Sequence, residues 1–155
     1  AHYNRDPGAA RFFASNNVAV AADRFRAVGG FRADFRLPAS EDRDLCDRWR
    51  FAGGRLGYVP GAVVGHAHPL TFRRFWRQHF SYGRGAHHYH RLRAERGSGR
   101  MRDDVSFHAA LPRLLRHLPA ESYPGGRLAA LPLLAVWQAA NAAGFFYERV
   151  RRRGP

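Results

Sequence analysis

Apolar and polar positions along this chain change period several times, and each change marks an element. Residues 1–11 are polar and punctuated by Asp6-Pro7-Gly8, so they read as a loop. Residues 12–20 read as a strand and residues 22–28 as a short helix stopped by Gly29-Gly30. A loop through Pro38 then leads to a helix over residues 41–52. On that helix Asp42, Leu45, Cys46 and Trp49 recur at i, i+3, i+4 and i+7 and so share one face. The pairs Arg43–Asp47 and Asp44–Arg48, at i, i+4, predict an exposed outer face opposite it. Residues 55–59 and 62–66 read as short strands separated by Pro60-Gly61. The alternation predicts a mixed, helix-rich α/β domain.

A long amphipathic helix follows. Phe72, Phe75, Trp76, His79, Phe80 and Gly83 form its stripe, with Arg73, Arg74 and Arg77 outside it. Such a stripe is read as core, the alternative being a surface laid against a membrane with arginines reaching head groups. Gly83 and Gly85 are expected to interrupt the helix before residues 87–94, and Gly97-Ser98-Gly99 to end the domain. Residues 105–118 repeat the pattern, with Leu111, Leu114, Leu115 and Leu118 on one side and Arg113, Arg116 and His117 between. Residues 128–147 carry no charged side chain. As a helix such a stretch spans about 30 Å, the thickness of a bilayer's hydrocarbon core. Gln138, Asn141 and the arginines after Tyr147 oppose simple spanning, so association with a membrane surface is favoured. The organisation expected is a domain over residues 1–96, a linker over 97–104, and a helical, membrane-associated extension over 105–155.

Composition narrows the function classes. The chain has 155 residues, 45% hydrophobic and 14% aromatic, enough for one domain with a core and too apolar for disorder. Its formal charge of +14 comes wholly from arginine, because lysine is absent. That charge favours anionic partners: phospholipid head groups, pyrophosphate-linked sugars or nucleic acid. It is spread along the chain instead of defining one helix face, and no nucleic-acid motif accompanies it, so nucleic acid is disfavoured. The lone cysteine, Cys46, excludes an internal disulfide and reads as a buried structural thiol.

The chemistry concentrates at Glu41-Asp42, two carboxylates opening a helix, with Asp42 on its apolar face. A carboxylate turned inward there is costly without a partner or a task. The plainer account is an acidic first turn that complements the helix dipole, with Ser40 as N-cap. The neighbouring residues favour the first account. ASNNVAVAADRFRAVGGFRADF followed by SEDRDLCDRWRFAGGRLGYVPGAVVGHAH resembles the C-terminal part of the catalytic domain of family-2 glycosyltransferases of the GT-A fold. The elements that agree in order are Asn16-Asn17, Gly29-Gly30-Phe31, Glu41-Asp42, Gly53, Pro60 and His66, across residues 12–95. The RQHFSYGRGA stretch is similar to members acting on lipid-linked or cell-envelope sugars.

The resemblance implies a partial GT-A-like α/β domain in which Asp42 is the general base and Glu41 orients the acceptor or the loop. It implies His66, or alternatively His68, as ligand to a divalent metal, Mn or Mg, and Arg84, Arg77 and Gln78 as acceptor- or phosphate-binding residues. The donor would be a nucleotide sugar, the acceptor a glycan or lipid-linked group, and the location the cytoplasmic face of a membrane. Family members bind the nucleotide through an N-terminal half that carries a DxD motif, and neither that half nor a Gly-rich phosphate turn is read in this chain. The chain therefore reads as the acceptor-side part of a larger enzyme, incomplete alone. The His87-His88-x-His90 group lacks a closed four-ligand set and is not read as a zinc site. The competing class is a non-enzymatic basic module binding anionic lipid or nucleic acid.

Overall fold

A computed structural model of the chain describes residues 10–37, 39–65, 67, 69–102 and 126–152. Among the described residues a turn of 3-10 helix at Ser15–Asn17 precedes four α-helices: α1 (Ala22–Ala27), α2 (Glu41–Phe51), α3 (Phe72–Arg96) and α4 (Gly126–Arg151). No strand occurs among the described residues. The expected α/β, GT-A-like sheet is therefore corrected to a helical architecture. The physical reason is pairing. A strand takes its hydrogen bonds from a neighbour, and residues 12–20, 55–59 and 62–65 form no ladder with one another. The Asn17 Nδ2 amide donates to the Ala62 carbonyl at 2.9 Å, so two of these segments touch without pairing. Val59, Val63 and Val64 stay exposed for the same reason.

The helices themselves follow local rules. Gly29 and Gly30, both at positive φ, end α1. The Thr71 hydroxyl accepts the Arg74 N–H to cap α3, and Gly97 closes it in the left-handed region. The expected interruption at Gly83 and Gly85 does not occur, because α3 is continuous through both. These glycines mark close approaches instead. A side chain at Gly83 would collide with the Asn141 main chain of α4, and one at Gly85 with the Ala39 main chain. Gly144 of α4 answers from the other side, lying against the Phe80 main chain. Contacts between α3 and α4 advance in the same sense along both, from His79–Trp137 through Gly83–Asn141 to His87–Phe145. The two long helices thus run parallel, backbone near backbone, with histidine and aromatic edges filling the seam.

The charged side of α2 is the second departure from expectation. Asp44 is fully buried and Asp47 nearly so, which corrects the exposed outer face. Asp44 accepts Arg48 Nε at 2.7 Å and Arg96 Nη2 at 2.6 Å, while Asp47 accepts from Arg96 and the Ser98 hydroxyl. Arg48 also donates to the Val28 and Gly30 carbonyls, tying α2 to the end of α1. An i, i+4 ion pair has the same spacing whether solvent or arginine covers it. Here the last turn of α3 supplies the cover.

The apolar stripe of α3 divides along its length. Gly83 is buried, Phe75, His79 and Phe80 are half-buried, and Phe72 and Trp76 remain exposed at the N-terminal end. Leu131 and Leu133 of α4 are exposed as well. No helix among the described residues is long and apolar enough to cross a membrane. The expected helix over residues 105–118 lies outside the described residues.

Candidate functional site

Glu41 and Asp42 are the first two residues of α2, where the unpaired N–H groups and the dipole favour negative charge. Ser40 occupies the N-cap position, but its hydroxyl caps nothing and its backbone sits at φ 70. A non-glycine residue in that region costs of order 1–3 kcal/mol, and such strain clusters at functional positions. The Asp42 Oδ1 atom accepts the Arg43 N–H at 2.8 Å. Asp42 is one of the residues that line a mainly apolar recess, with Phe13, Phe31, Leu45, Cys46 and Trp49. Glu41 is half-buried, and its Oε2 atom has no hydrogen-bond partner among the described residues. Burial, and to a lesser degree the neighbouring Asp42 charge, raises the Glu41 pKa. The pair thus combines a carboxylate lining a recess with one left short of partners.

Cys46 lies in the same wall. Its sulfur receives the Phe13 N–H at 3.4 Å, and burial raises its pKa, so it is a packed thiol and a poor nucleophile.

The residues expected to bind the acceptor or phosphate are all on α3 but differ in state. Arg77 is exposed, and Gln78 donates to the Tyr82 hydroxyl at 2.6 Å. Arg84, two helical turns beyond Arg77 or about 10 Å, is half-buried. Its Nε donates to Glu148 at 2.8 Å and its guanidinium lies over the Tyr147 ring at 5.3 Å. Arg84 therefore points into a second recess, formed with α4, and Arg77 and Gln78 are not part of its lining.

His66 and His68 lie outside the described residues, so the expected metal ligands have no described geometry. Among the described residues no group of three histidine, cysteine or carboxylate side chains could hold a metal ion. The α3 histidines are dispersed instead. His88 faces Asp34 at 3.2 Å, and His87 packs edge-on against Phe145. Burial lowers the pKa of His79, His87 and His88, leaving them neutral near pH 7.

Sequence reasoning missed Asp34, Arg36, His88 and Glu148 as parts of one recess. Only the run from Glu148 to Arg153 hinted at it, and that run reads as a solvated basic end. Comparison of the chain with protein-family models, with curated proteins and with solved structures gives no match.

Proposed function

We propose that this chain contributes the acceptor side of a glycosyltransferase that moves a sugar from a nucleotide-sugar donor to a lipid-linked or cell-envelope acceptor. The observation that carries the reading is the Glu41-Asp42 pair at the start of α2, behind the strained Ser40, with Asp42 lining a recess. In the proposed step Asp42 accepts the acceptor hydroxyl's proton while that oxygen forms a bond to the anomeric carbon. The bond from that carbon to the diphosphate breaks, and the nucleoside diphosphate leaves with the electron pair. Glu41 orients the acceptor or the Ala39–Ser40 turn. The apolar wall strengthens the hydrogen bond between Asp42 and the hydroxyl. No step is assigned to a metal, because His66 and His68 lie outside the described residues.

Transfer of label from UDP- and GDP-sugars to a membrane-lipid or envelope-glycan extract tests this reading, with the complete gene product as enzyme. Donor-dependent incorporation is expected. Absence of transfer with every donor and acceptor fraction removes the reading.

On this reading the reaction runs at a membrane surface, on its cytoplasmic face. Support comes from the exposed Phe72 and Trp76 among the exposed Arg73, Arg74 and Arg77 of α3, and from the exposed Leu131 and Leu133 of α4. Arginines near an anionic surface are each worth on the order of 1 kcal/mol, weakened by salt. The chain is expected to float with anionic vesicles at low ionic strength, less so at high, and poorly with neutral ones. Failure to float with anionic vesicles at low salt removes the membrane location.

A further inference from the structure

Between the loop after α1, the middle of α3 and the end of α4 lies an open recess. Its lining includes Arg36, Arg84, Arg151 and Arg152, against two carboxylates, Asp34 and Glu148. Glu148 is only 3% exposed, and three of these arginines converge on it. Arg84 Nε donates to its Oε2 at 2.8 Å, while Arg151 Nη2 and Arg152 Nε donate to its Oε1 at 3.0 Å each. These bonds hold the Glu148 pKa down at about 2, against burial, which alone would raise it. One carboxylate therefore fixes three guanidiniums without matching their charge. A guanidinium carries five N–H donors, and the contacts with Glu148 engage a single nitrogen of each.

The opposite wall adds to the imbalance. Asp34 is held by both arms of Arg32, at 2.9 and 2.8 Å, and faces His88. Arg36, two residues on, is exposed and has no ion pair among the described residues. A purely structural clasp between α3 and α4 accounts for Arg84, Arg151 and Arg152 but gives Arg36 nothing to do.

We propose that this recess is a binding site for a phosphate or diphosphate group, held by Arg36 and by the outward N–H groups of Arg84, Arg151 and Arg152. Glu148 acts as the positioning residue that presets the three guanidiniums, so less side-chain entropy is lost when the anion arrives. The site deepens the proposed acceptor-side reading and rests on the acceptor- or phosphate-binding role that the resemblance implies for Arg84. Ala39, in its lining, stands two residues before Glu41, which places the anion on the chain's approach to the carboxylate pair.

The test titrates the folded chain with inorganic pyrophosphate by calorimetry at low ionic strength, and separately with vesicles containing phosphatidic acid. Wild type is expected to show saturable binding of at least one probe. Arg36→Gln/Arg152→Gln should weaken it about tenfold or more. Arg24→Gln/Arg26→Gln on α1 removes the same charge elsewhere and should leave it unchanged. Binding of pyrophosphate alone identifies a free diphosphate, and vesicle binding that pyrophosphate displaces identifies a lipid headgroup. No saturation by either probe, or equal weakening by both double variants, overturns the site. Should Arg152→Gln unfold the chain, Arg36→Gln alone decides, since Arg36 has no ion pair to lose among the described residues. An unaltered affinity in that variant also overturns it.

Discussion

Asp42→Asn in the complete gene product is expected to lower sugar-transfer turnover by about 10²–10⁴-fold, the usual contribution of a positioned base. The substitution keeps size and shape. Its amide oxygen can still accept the Arg43 N–H that Asp42 Oδ1 accepts now, so the first turn of α2 should be undisturbed. What disappears is the ability to take a proton. The effect should fall on turnover, with acceptor KM little changed, because the proton is transferred only as the new bond forms. Helical circular dichroism and thermal unfolding of the variant should match the parent. Near-normal turnover in a folded variant would strike Asp42 from the mechanism, whatever its place in the recess.

Asp44→Ala is expected to be the most damaging change to the fold, costing about 3–5 kcal/mol. Asp44 is fully buried between Arg48 and Arg96, whose side chains are only 12% and 15% exposed. Removing the carboxylate leaves two guanidiniums near one another with Asp47 as the remaining acid beside Arg96. Arg48 would keep its bonds to the Val28 and Gly30 carbonyls but lose its counter-charge. The α1–α2 and α2–α3 junctions should loosen together, lowering the thermal midpoint and the urea midpoint. Asp23→Ala, an exposed acid in the first turn of α1, is the matched control and should change stability by less than about 0.5 kcal/mol. A loss at Asp44 as small as that of the control would mean that the cluster does not hold these helices.

The difference between Asp42 and Asp44 shows where sequence reading ends. Both are acids in the first turn of one helix, two residues apart. Periodicity placed Asp42 beside Leu45, Cys46 and Trp49, and the structure sets it in that wall. The same periodicity put Asp44 on the outer side, because a charged helix face is normally solvated. Its burial depends on Arg96, 52 residues away, and no local pattern carries that information. Arg84 repeats the lesson at longer range. Its sequence neighbours pointed to an anion, but its partner Glu148 lies 64 residues on and belongs to another helix.

Glycine reading failed for a related reason. Gly83 and Gly85 are conformational breaks when only the chain is considered, since glycine weakens an isolated helix by about 1 kcal/mol relative to alanine. Packing reverses their meaning. Bare backbone lets α4 approach at Gly83 and the Ala39 turn at Gly85, and those contacts offset the loss in propensity.

The sequence by itself determined where α1 and α2 lie and where α3 begins, because helix periods and stop glycines act within a few residues: Gly29-Gly30 stands where α1 ends. It also determined that Glu41 and Asp42 open a helix. Only the tertiary structure decided that residues 12–20 and 55–65 go without strand pairing, that Asp44 and Asp47 are buried, and that Arg36, Arg84, Arg151 and Arg152 share a recess. Hydrogen-bond ladders, ion-pair burial and charge convergence all depend on which distant segment lies alongside, and the period of a single segment does not specify its neighbour.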